Sequence, residues 1–220
     1  MNKFFKTIIW FVIAAPAIYL ALVWKNIPET VAIHFGLDGK PDRFGDKNEF
    51  LITCTVLISL SAIVYLAITN AWRVDPKKNA ADNKSRLGKI AFAISVFLAA
   101  VCGLLIYSAT HGQVKFNTGL MLAGVGLLFA LIGNYMHNIK PNYFAGLRLP
   151  WTLENEDNWK KTHALAGRLW FAGGLIMAVL CLFLPPVAGI IIFFSITVII
   201  ITIPVVFSYR YYKQHQKTSL

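Results

Sequence analysis

The residues able to do chemistry gather in two short polar stretches. Residues 26–50 read NIPETVAIHFGLDGKPDRFGDKNEF and hold His34, Asp38, Asp42 and Asp46. One imidazole and three carboxylates suit a divalent cation or a ligand sensed at the surface. No calcium loop fits the spacing, because position 40 is Lys where an oxygen ligand is required. A second reading is a hairpin whose polar groups hydrogen-bond one another. Asp38-Gly39 is a turn signal, and Pro28, Gly36, Pro41 and Gly45 break the stretch too often for a helix. Ile33 and Phe35 flank His34, so a short extended run is expected before the turn, with Phe44 folding back over it. The hairpin reading is preferred, and no metal or cofactor is assigned.

Residues 133–163 read GNYMHNIKPNYFAGLRLPWTLENEDNWKKTH. Aromatic and cationic side chains are mixed here in a way that suits partner docking or headgroup binding, or interfacial anchoring of the loop against anionic lipid. The residues assigned to that face are Asn134, Lys140, Asn142, Arg148, Trp151, Trp159, Lys160, Lys161 and His163. Lys140-Pro141-Asn142 and Leu149-Pro150-Trp151 favour extended or turn geometry, and Gly146 suggests a tight reversal. Asn155 is placed to cap a helix whose first turn holds Glu156 and Asp157. Trp159, His163, Ala166 and Trp170 fall on one face of that helix. A lipid-headgroup enzyme would use His137 or His163 as base and Lys140 with Arg148 to hold phosphate. Such chemistry requires those groups to converge within hydrogen-bond reach. No nucleophile–base spacing is recognisable, so no catalytic residue is assigned.

These stretches must be positioned by membrane helices. The chain has 220 residues, 57% of them apolar, and a spanning helix takes about 20. Spans are expected near 7–24, 50–72, 90–110, 116–136, 164–184 and 187–209. The longest connection, 137–163, is too short for a domain with its own core. The fold class is therefore all-α, a polytopic membrane bundle of about six helices, because only internally bonded helices satisfy their backbone in lipid at this length. The organisation follows as residues 1–72 (two spans around the loop 25–49), a basic linker 73–89, and a four-span domain 90–220 with the loop 137–163.

The formal charge of +11 sets orientation rather than binding nucleic acid. With the amino terminus inside, 16 Lys and Arg lie on the cytoplasmic side: Lys3, Lys6, six from Arg73 to Lys89, five from Lys140 to Arg168, then Arg210, Lys213 and Lys217. Five stay outside: Lys25, Lys40, Arg43, Lys47 and Lys115. Short loops with this bias place both termini in the cytoplasm. Ala15-Pro16-Ala17 resembles a cleavage site, but the apolar run continues to Trp24, so a retained anchor is expected. Cys54, Cys102 and Cys181 fall in spans without paired spacing and read as buried thiols. Small residues on the fourth span, Gly119/Ala123 and Gly126/Ala130, suit close helix packing, as do Gly173 and Gly174 on the fifth. The linker 73–89, with Asn79 and Asn83, reads as solvated and without a site. No Asp, Glu or Lys enters an apolar core, which disfavours an ion-coupled transporter and an intramembrane protease.

Ile27-Pro28 through His34-Phe35 and then Gly39-Lys40-Pro41-Asp42-Arg43-Phe44-Gly45-Asp46-Lys47 resemble a short extracytoplasmic domain of unknown function in bacterial membrane proteins. Gly133-Asn134, Lys140-Pro141-Asn142-Tyr143-Phe144-Ala145-Gly146-Leu147-Arg148-Leu149-Pro150-Trp151-Thr152 and Trp159-Lys160-Lys161-Thr162-His163 resemble the hallmark of the SdpI family of toxin-immunity proteins. The resemblance implies a non-enzymatic immunity and signalling protein of the bacterial cytoplasmic membrane. Its outer loop would meet a secreted peptide toxin, and its cytoplasmic loop would capture a repressor. The alternatives are an exporter of a hydrophobic peptide or lipid and the headgroup enzyme above.

Overall fold

The computed structural model describes residues 3–77, 80–112 and 117–216; Lys78, Asn79, Lys115 and Lys217, and the start of the fourth expected span at Phe116, lie outside them. The elements are α1 (Lys3–Val23), β1 (Thr30–Phe35), β2 (Pro41–Asp46), α2 (Lys47–Asn70), α3 (Lys84–Thr110), α4 (Thr118–Met136), α5 (Pro150–Glu154), α6 (Glu156–Phe183) and α7 (Pro186–Gln216). Among the described residues, six helices are long and apolar enough to cross a membrane: α1 to α4, α6 and α7. The chain is thus an all-α polytopic membrane protein with one small hairpin. Its residues divide into two compact units, Met1–Ala67 with Ala91–Thr118, and Ile68–Ile90 with Gly119–Leu220.

In the first unit, β1 and β2 pair antiparallel with Val31 opposite Gly45 and Ala32 opposite Phe44, as the turn residues require. Gly39 takes φ +76° at the tip, where the Asp38 carboxylate accepts the Lys40 N–H at 3.0 Å. The hairpin is held to the helices by its apolar side. Ile27 and Val31 are buried in one cluster with Leu20, Phe50, Cys54, Cys102 and Ile106. Deeper in the unit, Ser61 and Ser95 each donate a hydroxyl to the other's backbone carbonyl at 3.3 Å, tying α2 to α3. Thr53 and Thr55 instead bond back to their own helix. These hydroxyls serve helix packing.

The second unit is organised by glycine. A Cβ on Gly126 would lie 2.9 Å from the Gly174 carbonyl oxygen, and one on Gly133 would lie 2.8 Å from that of Gly167. Both pairs are seven residues apart on their own helix and run in opposite order, so α4 and α6 are antiparallel with their backbones in contact. Small residues permit this approach, which gives helices in lipid the packing that a hydrophobic drive cannot supply there. Gly173, on a neighbouring face, receives Ile196 and Ile200 of α7. Met177, Cys181, Phe193 and Ile200 fill the core beside that contact.

Several boundaries differ from expectation. The fifth spanning helix begins at Glu156 rather than near 164, and α3 begins at Lys84 rather than 90. In both cases a polar first turn extends a helix that the apolar pattern starts late. Pro150 opens a short helix instead of continuing an extended stretch; at the first helical position it lacks only an N–H that has no intrahelical partner anyway. Leu149 before it keeps the extended backbone that a following proline imposes. The linker 73–89 is not merely solvated: a 3₁₀ turn at Ala71–Arg73 leads into it, another forms at Ala80–Asn83, and three of its side chains anchor the loop described below.

Gly174→Ala would press a methyl against Ala130 N and the Gly126 carbonyl, which no rotamer change relieves. It is expected to cost about 1–3 kcal/mol as overpacking, read as a lower midpoint of thermal unfolding in detergent. Gly103→Ala, whose Cβ meets nothing within 4 Å, should leave the midpoint unchanged or raised.

Candidate functional site

The loop from His137 to Asn155 is a folded platform on the ends of α4 and α6. Before α5 its backbone leaves regular structure, so its polar groups there need partners from side chains. Asn142 supplies four. Its carbonyl oxygen accepts the Phe144 and Ala145 N–H groups at 2.9 and 2.7 Å, and its amide donates to the carbonyls of Lys140 and Ala145 at 2.9 and 3.2 Å. Asn83 brackets Lys140 from outside the loop, donating to its carbonyl at 3.0 Å and accepting its N–H at 2.9 Å. Both asparagines are fully buried. Asp75 accepts the Tyr143 N–H at 2.9 Å, and Lys77 donates to the Leu153 carbonyl at 2.8 Å.

A second set of bonds ties the loop to α6. The Trp159 indole donates to the Ile139 carbonyl at 2.7 Å, and its ring stacks on His163 with centroids 3.9 Å apart. His163 Nε2 accepts the Leu147 N–H at 2.9 Å, while Nδ1 lies 2.8 Å from the Trp159 carbonyl. An amide N–H only donates and a carbonyl only accepts, so the ring is neutral with its proton on Nδ1. Gly146 sits at φ +101°, and a Cβ there would collide with His163 Nε2. Glycine is required at 146 for both reasons. Thr152 completes the loop by donating to the carbonyl of Leu147 or Leu149, at 2.7 and 2.8 Å, and accepting the Leu149 N–H at 3.1 Å.

The end of α7 closes the far side. Asn158 donates to the Ser208 carbonyl at 3.0 Å, and the Trp151 indole donates to the Ser208 hydroxyl at 3.1 Å. Trp151 also stacks on Tyr212. The Tyr211 hydroxyl donates to Asp157 and accepts from Lys161, both at 3.1 Å. Among the described residues, no buried side-chain nitrogen or oxygen lacks a partner.

The expected docking face therefore separates into two classes. Asn142, Trp159 and His163 are buried and form the framework, so a partner cannot touch them in this state. Asn134, Lys140, Arg148, Lys160 and Lys161 are exposed, and Trp151 is half-buried. Arg148 donates to the Tyr143 carbonyl at 2.7 Å, which pins the turn carrying exposed Tyr143 and Phe144. The headgroup-enzyme constellation does not form as written. Both His163 nitrogens are committed, and Arg148 is not among the residues around His137 and Lys140, which line a cleft of about 340 Å³. Asp75, Lys77, Asn83 and Ser208 were not foreseen as part of this site. Nothing in their spacing distinguishes them, because they reach it from elements distant in sequence.

On the hairpin, His34 Nδ1 lies 2.6 Å from an Asp42 carboxylate oxygen. Asp38 is engaged in the turn, and Asp46 accepts the N–H groups of Asn48 and Glu49 at 2.8 Å, capping α2. The structure thus brings His34 and Asp42 together and leaves Asp38 and Asp46 in separate local roles. Among the described residues, no group of three or more His, Cys, Asp or Glu could hold a metal ion.

Asn83→Ala would leave the Lys140 N–H without its buried partner and the Lys140 carbonyl with Asn142 alone. The expected cost is about 1–3 kcal/mol. Limited trypsin digestion should then cut after Arg148 several-fold faster than in the wild type, the bond after Lys140 being protected by Pro141.

Residues 138–209 match the SdpI/YfhL protein family, and residues 11–66 match a domain of unknown function, DUF1648. The family match begins inside the platform and runs through α5, α6 and most of α7. The chain is 26% identical over 195 residues to the Immunity protein SdpI of Bacillus subtilis, covering 88% of each chain. It is also 44% identical over 52 residues to an uncharacterized protein of Archaeoglobus fulgidus, covering 24% of this chain and 28% of the other. No solved structure matches. The hallmark stretch is folded as one bonded platform, and this multi-pass chain is similar to the SdpI/YfhL family over residues 138–209 and to the Immunity protein SdpI through both units.

Proposed function

We propose that the protein is a non-enzymatic immunity protein of the bacterial cytoplasmic membrane, protecting its cell from a membrane-active peptide toxin. The observation that carries this reading is the similarity to an immunity protein over 88% of both chains. With both termini cytoplasmic, as the charge bias favours, the hairpin 30–46 faces outward and the platform 137–163 faces inward. The hairpin, where His34 and Asp42 lie exposed beside Phe44, is the toxin-sensing element. The platform, with Arg148, Trp151, Lys160 and Lys161 at its surface, is the docking face for a cytoplasmic repressor.

The chemistry supports binding over turnover. His163 is spent as a backbone clamp, and the exposed cations stand on a bonded frame suited to presenting a fixed surface. An exporter is less well supported, because no Asp, Glu or Lys enters the apolar cores to carry coupling.

The test is survival. Toxin-sensitive bacteria expressing the chain, challenged with membrane-active peptide toxins, should keep their membrane potential as followed with a dye, while empty-vector cells depolarise. His34→Ala should lose protection if the hairpin meets toxin. Lys160→Gln with Lys161→Gln should keep protection but weaken salt-sensitive repressor capture. Depolarisation of wild-type cells at the same rate as the empty control would overturn the reading for those toxins.

A further inference from the structure

The cleft between the start of the platform and the first turns of α6 shares Lys160 with the docking face above, but that reading assigns it no ligand. It holds about 340 Å³, within the range of small-ligand sites. Its floor is apolar, made by Ile139, Pro141 and Trp159, and the Trp159 indole is already committed to the Ile139 carbonyl. Its walls carry both signs of charge. His137, Lys140 and Lys160 stand around it, with Glu156 on the same rim and all four exposed. Asp157 also borders it, but that carboxylate accepts from Tyr211 and pairs with Lys161 at 3.5 Å. Cations are therefore in excess, with one carboxylate beside them.

The position narrows the ligand. At 1.5 Å per residue, residues 156–160 rise roughly 6–12 Å beyond the point near 164 where the apolar part of α6 begins. The headgroup layer occupies about 5–8 Å on each side of the hydrocarbon core. The lower part of that rise, toward Lys160, lies within the headgroup layer, so a lipid headgroup can enter the cleft from the bilayer side. A phosphate with an amine a few atoms away matches the cations and the single glutamate, and the apolar floor accepts the connecting methylenes.

We infer that this cleft binds the phosphoethanolamine headgroup of a bilayer lipid, with the phosphate on Lys140, Lys160 and His137 and the ammonium on Glu156. Lysines bind phosphate as point charges, and the carboxylate adds the discrimination that a purely cationic patch lacks. The glycine seam fixes the geometry. A Cβ on Gly167 would lie 3.1 Å from His137 N, so the backbone at the root of the cleft is held against α6.

The full-length protein, released from nanodiscs holding equal phosphatidylethanolamine, phosphatidylglycerol and phosphatidylcholine, would be examined by native mass spectrometry for retained lipid. Phosphatidylethanolamine should be retained about tenfold over either competitor, as expected of charge-assisted bonds. Lys140→Gln with Lys160→Gln should reduce that retention about tenfold. Glu156→Gln should keep lipid but lose the preference over phosphatidylglycerol. Unchanged thermal midpoints of these surface variants would exclude misfolding as the cause. Equal retention of all three lipids, preference for phosphatidylglycerol in the wild type, or indifference to the substitutions would overturn the inference. Displacement of the lipid by millimolar inorganic phosphate would reassign the site to a free anion.

Discussion

The second unit depends on one contact, the meeting of α4 and α6 backbone to backbone along Gly126–Gly174 and Gly133–Gly167. In lipid, two helices gain nothing by hiding apolar side chains from each other, so close approach and the dispersion it brings must hold them. Glycine allows that approach at the cost of local helix propensity. The seam fixes more than two helices. The 137–155 loop leaves α4 at one end of the seam and enters α6 beside it. Trp159 and His163 can therefore reach Ile139 and Leu147 with bonds of 2.7 and 2.9 Å.

The platform solves a difficulty set by its place. An irregular backbone at the edge of a bilayer has poor access to water, and each unbonded polar group there is costly. Asparagine suits the task because one amide offers both donors and an acceptor. Asn142 and Asn83 between them bond the backbone of Lys140, Phe144 and Ala145. Histidine does the same with its two nitrogens, and that use fixes its proton. A residue that in isolation suggests acid–base chemistry becomes a clamp once its two neighbours are known.

What was readable in the chain follows from the same physics. The spans announce themselves because twenty apolar residues in sequence have few other fates, and the hairpin because Asp38-Gly39 and its flanking prolines restrict the backbone locally. The Asn155 cap is likewise a local signal, and its side chain does accept the Asn158 N–H at 2.9 Å. The framework was not readable, because its bonds join distant segments: Asn83 with Lys140, Lys77 with Leu153, Trp151 with Ser208. No local rule separates a buried asparagine from a solvated one. Exposure failed for a related reason. Trp159 and Lys160 are neighbours in sequence, yet one is the floor of a cleft and the other its rim.

The distance along the chain between Asn83 and Lys140 also dictates when the platform can exist. At about 5–20 residues per second, the ribosome delivers Lys140 roughly 3–11 s after Asn83. During that interval the Asn83 amide sits at the water-facing start of α3 and is hydrated. Ser208 arrives later still, so Trp151 and Asn158 wait for the last helix before their donors are satisfied. The surface is thus the final product of synthesis. A nascent chain halted before α7 would insert its earlier spans and yet leave the platform unfinished, with Trp151 and Asn158 lacking Ser208.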